Sequence, residues 1–87
     1  MLVLFEVVVA RGQDPDSLLS AEVLQETQAQ VMTLEEAGAV GFSGARPDPQ
    51  GLEKRLIAVA PKDARFVRSR LEGSAAVASY QAHEVET

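Results

Sequence analysis

Cysteine is missing from this 87-residue sequence, which excludes a disulfide framework and any thiol chemistry. Histidine occurs once, at position 83. A metal site is therefore not expected, because no second and third ligand of suitable type stand with it. A Ser-His-Asp arrangement cannot be built from the spacing either. No glycine loop of the phosphate-cradling kind precedes a helix. Basic residues are outnumbered, with Lys and Arg totalling 8 against 13 Asp and Glu for a net charge of −5. Nucleic acid is a poor partner for such a chain, since phosphate neutralisation needs a net basic surface. Long apolar runs are lacking too. The most apolar stretch, Leu2–Ala10 (LVLFEVVVA), falls far short of the roughly 20 residues that cross a bilayer. It carries Glu6 in its middle and no basic leader before it, which argues against a signal peptide. The expectation is a cytoplasmic protein without membrane, metal or cofactor.

What is present is apolar enough to fold: 46% of residues are hydrophobic, too many for a disordered chain. Positions 1–87 make one domain. A chain of this size buries about 60–65% of its unfolded surface, so it gains from association. Leu2–Ala10 reads as a strand with Val3, Phe5, Val7 and Val9 on one face and Leu2, Leu4, Glu6 and Val8 on the other. Both faces are apolar, as in a central strand.

After a loop at 11–13, Asp14-Pro15 has the form of a helix start, and Ser20 is a second N-cap candidate one turn later. Good helix formers continue to Ala37, predicting a helix over 15–37 with Gly38 as its left-handed stop. A weak edge strand over 39–45, a proline-rich turn over 46–51 and a strand over 52–60 would form a hairpin. Pro61 opens a second helix that buries Ala64, Val67 and Leu71 and stops at Gly73. The last strand spans 75–85, ahead of a short Glu86-Thr87 tail.

This βαββαβ order predicts a ferredoxin-like α+β fold, a four-stranded antiparallel sheet in the order 4-1-3-2 with two helices on one face. The other face would then leave Leu2, Leu4, Val8 and part of the third strand to water. At about 1.5–3 kcal/mol per fully buried side chain, that face needs a cover. A two-fold homodimer, sheet against sheet, would supply one. The RNA-binding version of this topology needs aromatics on both central strands. The first strand has just Phe5, and 52–60 has none.

MLVLFEVV at the start, the helix end Leu34-Glu-Glu-Ala-Gly38, the segment Gly41-Phe-Ser-Gly-Ala-Arg-Pro-Asp-Pro-Gln-Gly51 and the close Val77–Val85 resemble, in layout, the dimeric α+β barrel group. Within it the YCII-like and muconolactone-isomerase-like proteins are the nearest. The resemblance implies facing sheets and a cavity for a small organic molecule. The His and Asp pair typical of the YCII-like proteins has no counterpart before His83.

Glu6 is the candidate catalytic residue. A desolvated carboxylate on a covered face would have a raised pKa suited to acid–base work. The structural alternative is an ion pair with Arg46, Lys54 or Arg55, or a place at a wet rim. Arg46, Tyr80, Gln81 and His83 are the candidate ligand-binding residues. Because the last strand runs antiparallel to the first, His83 should lie nearer Leu2 than Glu6, which disfavours a Glu–His dyad. Lys62, Arg65, Arg68 and Arg70 concentrate charge on the second helix, as an anion patch or as a solvated face. Two functions are expected: a dimeric α+β barrel that binds or acts on a small organic molecule, or a non-enzymatic regulatory or assembly module.

Overall fold

The computed structural model describes residues 1–42 and 44–86. Its elements are β1 (Leu2–Val9), a 3-10 turn (Pro15–Ser17), α1 (Ala21–Thr27), β2 (Gln30–Met32), α2 (Leu34–Ala39), β3 (Lys54–Val59), α3 (Pro61–Glu72) and β4 (Val77–Val85). The four strands form one antiparallel sheet ordered β2-β3-β1-β4. Counted from the other edge this is 4-1-3-2, the ferredoxin-like order, although β2 is built from different residues than the sequence predicts.

The expected long helix over 15–37 is broken, and local hydrogen bonds show why. Both candidate caps are used. The Asp14 carboxylate accepts from the Asp16 amide and the Ser17 hydroxyl, starting the 3-10 turn, and Ser20 Oγ accepts from the Val23 amide, starting α1. Thr27 then ends α1. Its hydroxyl donates back to the Val23 carbonyl at 2.7 Å and accepts from the Ala29 amide at 3.3 Å. Gln28 takes a left-handed conformation, φ 54°, and the chain leaves as β2. The side chain thus offers the backbone an alternative to continuing the helix.

Thr33 starts the next helix through a capping box. Its hydroxyl accepts from the Glu36 amide, and the Glu36 carboxylate accepts from the Thr33 amide, the reciprocal pattern of a Thr-x-x-Glu sequence. Gly38 lies inside α2 rather than ending it. The stop is Gly41, with φ 101°. The Gly41 amide donates to the Gly38 carbonyl and the Phe42 amide to the Ala37 carbonyl, which together make a Schellman ending. No strand forms over the described part of 39–45; Ser43 of that stretch and Thr87 of the tail lie outside the described residues. The expected hairpin is accordingly replaced by a connection that contains α2. The turn over 46–51 is present. Asp48 Oδ2 accepts from the Gln50 and Leu52 amides, and Gly51 adopts φ 79°.

Two apolar layers result. On one face of the sheet, α1 and α3 pack over Val3, Phe5, Val7, Val9, Ile57 and Val59, with Val67 and Leu71 contributed by α3. On the other face, Leu4, Leu56 and Ala58 pack against Ala37 of α2, flanked by Phe42 and Ala45 of the segment that follows. Much of the face for which the sequence called for a second copy as cover is covered by α2 of the same chain. Leu4 and Leu56 are buried beneath it, while Leu2 stays 36% exposed.

The two glycines of this region should respond oppositely to alanine. Gly38→Ala meets nothing within 4 Å and sits at ordinary helical φ, so it should stabilise by about 0.5–1 kcal/mol. Gly41→Ala forces a Cβ into positive φ and should destabilise by about 1–2 kcal/mol. Urea unfolding of both variants measures the difference.

Candidate functional site

The sheet register brings three ionisable side chains together on the α2 side of the sheet. Glu6 stands opposite Leu56 of β3 and opposite Gln81 of β4. Lys54 and His83, two residues along from those positions, therefore share its face and flank it diagonally, within reach of long side chains. Lys54 Nζ donates to Glu6 Oε2 at 2.7 Å, and His83 Nε2 lies 2.9 Å from Glu6 Oε1. A carboxylate accepts and does not donate, so Nε2 carries the hydrogen. The sequence argument against a Glu–His pair is thus corrected. His83 does sit opposite Leu4, but its ring spans the diagonal to Glu6.

The segment after α2 joins the same cluster. Lys54 Nζ also donates to the Arg46 carbonyl at 2.6 Å, and the Phe42 ring leans on the His83 imidazole, centroids 5.4 Å apart. Among the described residues no buried side-chain nitrogen or oxygen lacks a partner.

Burial acts to raise the pKa of Glu6, yet the hydrogen bonds from Lys54 and His83 and their charges outweigh it, leaving the carboxyl below its ordinary 4.5. The expected upward shift is therefore reversed. A carboxylate held ionised, with both oxygens engaged, is poorly matched to proton transfer near neutrality. What the arrangement does is bind the segment after α2 to the sheet.

The other candidates separate. Gln81 is exposed on the same face as Glu6, where it borders a depression of about 120 Å³ with Val8, Lys54 and Ser79. Arg46 contributes its backbone to the cluster, while its guanidinium donates to the neighbouring Ala45 carbonyl at 3.3 Å. Tyr80 belongs to the opposite face. It packs edge-on to Phe5 at 5.8 Å and donates to Glu72 Oε2 at 2.8 Å, a hydrogen bond that raises the phenol's pKa. The basic residues of α3 are exposed. Two of them cover rings, Arg70 over Phe66 and Arg68 toward Phe5.

Sequence reasoning did not single out the apolar groove between the sheet and the cover. It holds about 380 Å³ and is lined by Leu2, Leu4, Met32, Val40, Phe42 and Val85, among others. Of the exposed large apolar side chains, Leu2 (36%) and Val40 (72%) stand on this groove. The Thr33–Glu36 capping box was the available signal, because it places a helix start where one continuous helix was expected.

Glu6→Gln should destabilise the domain by about 1–3 kcal/mol at neutral pH, since it strips the shielded Lys54 ammonium of its counter-charge. Adding Lys54→Met should recover only part of the loss, because the Arg46 carbonyl then loses its donor. The folded-state pKa of Glu6 is depressed, so its contribution is complete above pH 4.5 and fades as pH falls through the folded value. Denaturation of wild type and Glu6→Gln across this range should show their stabilities converging in acid.

No family model matches this chain, and no curated protein does. Among solved structures, the P2 domain of the chemotaxis kinase CheA, determined in complex with the response regulator CheY from the thermophile Thermotoga maritima, is similar with a TM-score of 0.53 and 18% identity, over 97% of this chain and 96% of that chain. At this identity the likeness is one of fold: four antiparallel strands and helices in a ferredoxin-like arrangement.

Proposed function

We propose that this protein is a non-enzymatic interaction module whose apolar groove receives an apolar side chain of a partner protein. The observation that carries this reading is a division of labour within one face of the sheet. The ionisable groups are consumed in holding the cover down, whereas exposed apolar surface gathers at a ready-made groove. The groove's volume lies at the small end of the range for ligand sites and fits one or two side chains. Leu2 and Val40 at its mouth are surface that a docking partner would cover. The CheA P2 domain supports the reading as a domain of this architecture solved bound to another protein. A catalytic role for Glu6, the other reading raised by the sequence, has against it the ionised and fully engaged state of that carboxylate. A small organic molecule, the ligand class implied by the resemblance to the dimeric α+β barrel group, is the competing occupant of the groove.

A photo-crosslinking residue in place of Val40 should give a discrete protein adduct in the source cell, while the same residue in place of Phe66, exposed on α3, should give none. A small-molecule screen that raises the melting temperature of wild type but not of Val40→Asp, with no adduct at position 40, would transfer the groove to a small ligand.

A further inference from the structure

The two edges of the sheet differ. At one end β2 contributes three residues, and a short edge is itself a guard against pairing with other chains. At the other end β4 runs for nine residues, and among the described residues no strand lies beyond it.

The direction of its free backbone groups follows from the register. The Val9 amide donates to Glu53 on the β3 side, and the Ala10 amide donates to Ala76 on the β4 side. Alternation along β1 then turns the even-numbered residues toward β4, so Leu2, Leu4, Glu6 and Val8 form the hydrogen-bonded pairs with Val85, His83, Gln81 and Ser79. The amides and carbonyls of Tyr80, Ala82 and Glu84 consequently point outward.

Most devices that protect such an edge are absent from it. Val77–Val85 contains neither lysine nor proline. Its imidazole is turned inward to Glu6, and its irregularity lies near one end, where Val8 pairs with Ser79 and Val9 with Val77. The strand also complements itself. A two-fold axis through Gln81 sets Tyr80 against Ala82, Ser79 against His83, Ala78 against Glu84 and Val77 against Val85. No like charges then stand opposite one another, whereas an axis through Glu84 would oppose two carboxylates.

We propose that β4 pairs antiparallel with β4 of a second copy of this chain, joining two four-stranded sheets into one across a two-fold axis. The outward groups of Tyr80 and Ala82 bond reciprocally on either side of the Gln81 pair. This association is edge to edge and leaves the α2 face uncovered by the partner, unlike the sheet-to-sheet dimer expected from sequence. It does not depend on what occupies the groove.

Sedimentation equilibrium from about 1 µM to 1 mM, the span of weak interfaces, should show the mass rising from 9.3 kDa toward twice that value. Ala82→Pro removes an outward amide and none of the bonds to β1, a place where an edge strand accepts proline. It should remain monomeric with an unchanged circular dichroism spectrum, while Val40→Asp should dimerise like wild type. Hydrogen exchange of the wild type supplies a readout free of any variant: the amides of Tyr80 and Ala82 should slow as concentration rises. A wild type that stays at 9.3 kDa throughout overturns the proposal. So does dimerisation abolished by Val40→Asp, or association with no concentration-dependent protection of those two amides.

Discussion

A sheet that is apolar on both sides must be covered on both sides, and the rest of this small structure follows from that requirement. β1 places Phe5 and Val7 on one face and Leu4 on the other, all buried. The α1 and α3 helices satisfy the first face in the ordinary ferredoxin-like way. The second falls to α2 and the segment behind it, a short element with little apolar surface of its own. Ala37, Phe42 and Ala45 are modest cover for Leu4 and Leu56, and the polar cluster makes up the difference. One ammonium group, that of Lys54, holds a carboxylate of the sheet and a carbonyl of the cover at the same time. The hydrogen bonds are satisfied at both ends, which is the condition under which a shielded charge can be kept.

The same cluster defines what the face can do chemically. Glu6 has the position of an acid–base group but not its state. Burial alone would favour the protonated form, and two donors on either side prevent that. A functional surface has to be sought where valences are left over, among apolar side chains at the groove and main-chain groups at the β4 edge. On the readings proposed above, both take on another molecule's atoms.

The sheet was legible in the sequence wherever pattern and burial coincide. Two-faced hydrophobicity identifies β1 as central, Pro61 and Gly73 bracket α3, and β3 announces itself by its apolar run. Residues 15–37 were not legible in the same way, because their composition favours a helix throughout and the breaks come from single hydrogen bonds. Thr27 turning onto Val23 and Thr33 exchanging bonds with Glu36 override a propensity spread over twenty residues. For the site, Glu6 and His83 stood out by type and strand parity. Their contact did not, since a straight count of opposite residues misses the diagonal. Tyr80 lies on the face opposite Gln81 and His83, as strand parity already implies, so the candidate ligand-binding residues do not converge on one face.

The join between cover and sheet also sets how the domain comes apart. The helix-side layer is continuous through both central strands, α1 and α3, so it is lost as one unit. The α2 segment is fastened by an ammonium bridge, a ring leaning on an imidazole and a small set of apolar contacts. Ionic strength and acidity act on that fastening far more than on the aliphatic layer beneath. The two faces of one sheet are thus secured by different forces, and salt or acid reaches the second through charges that the first does not have.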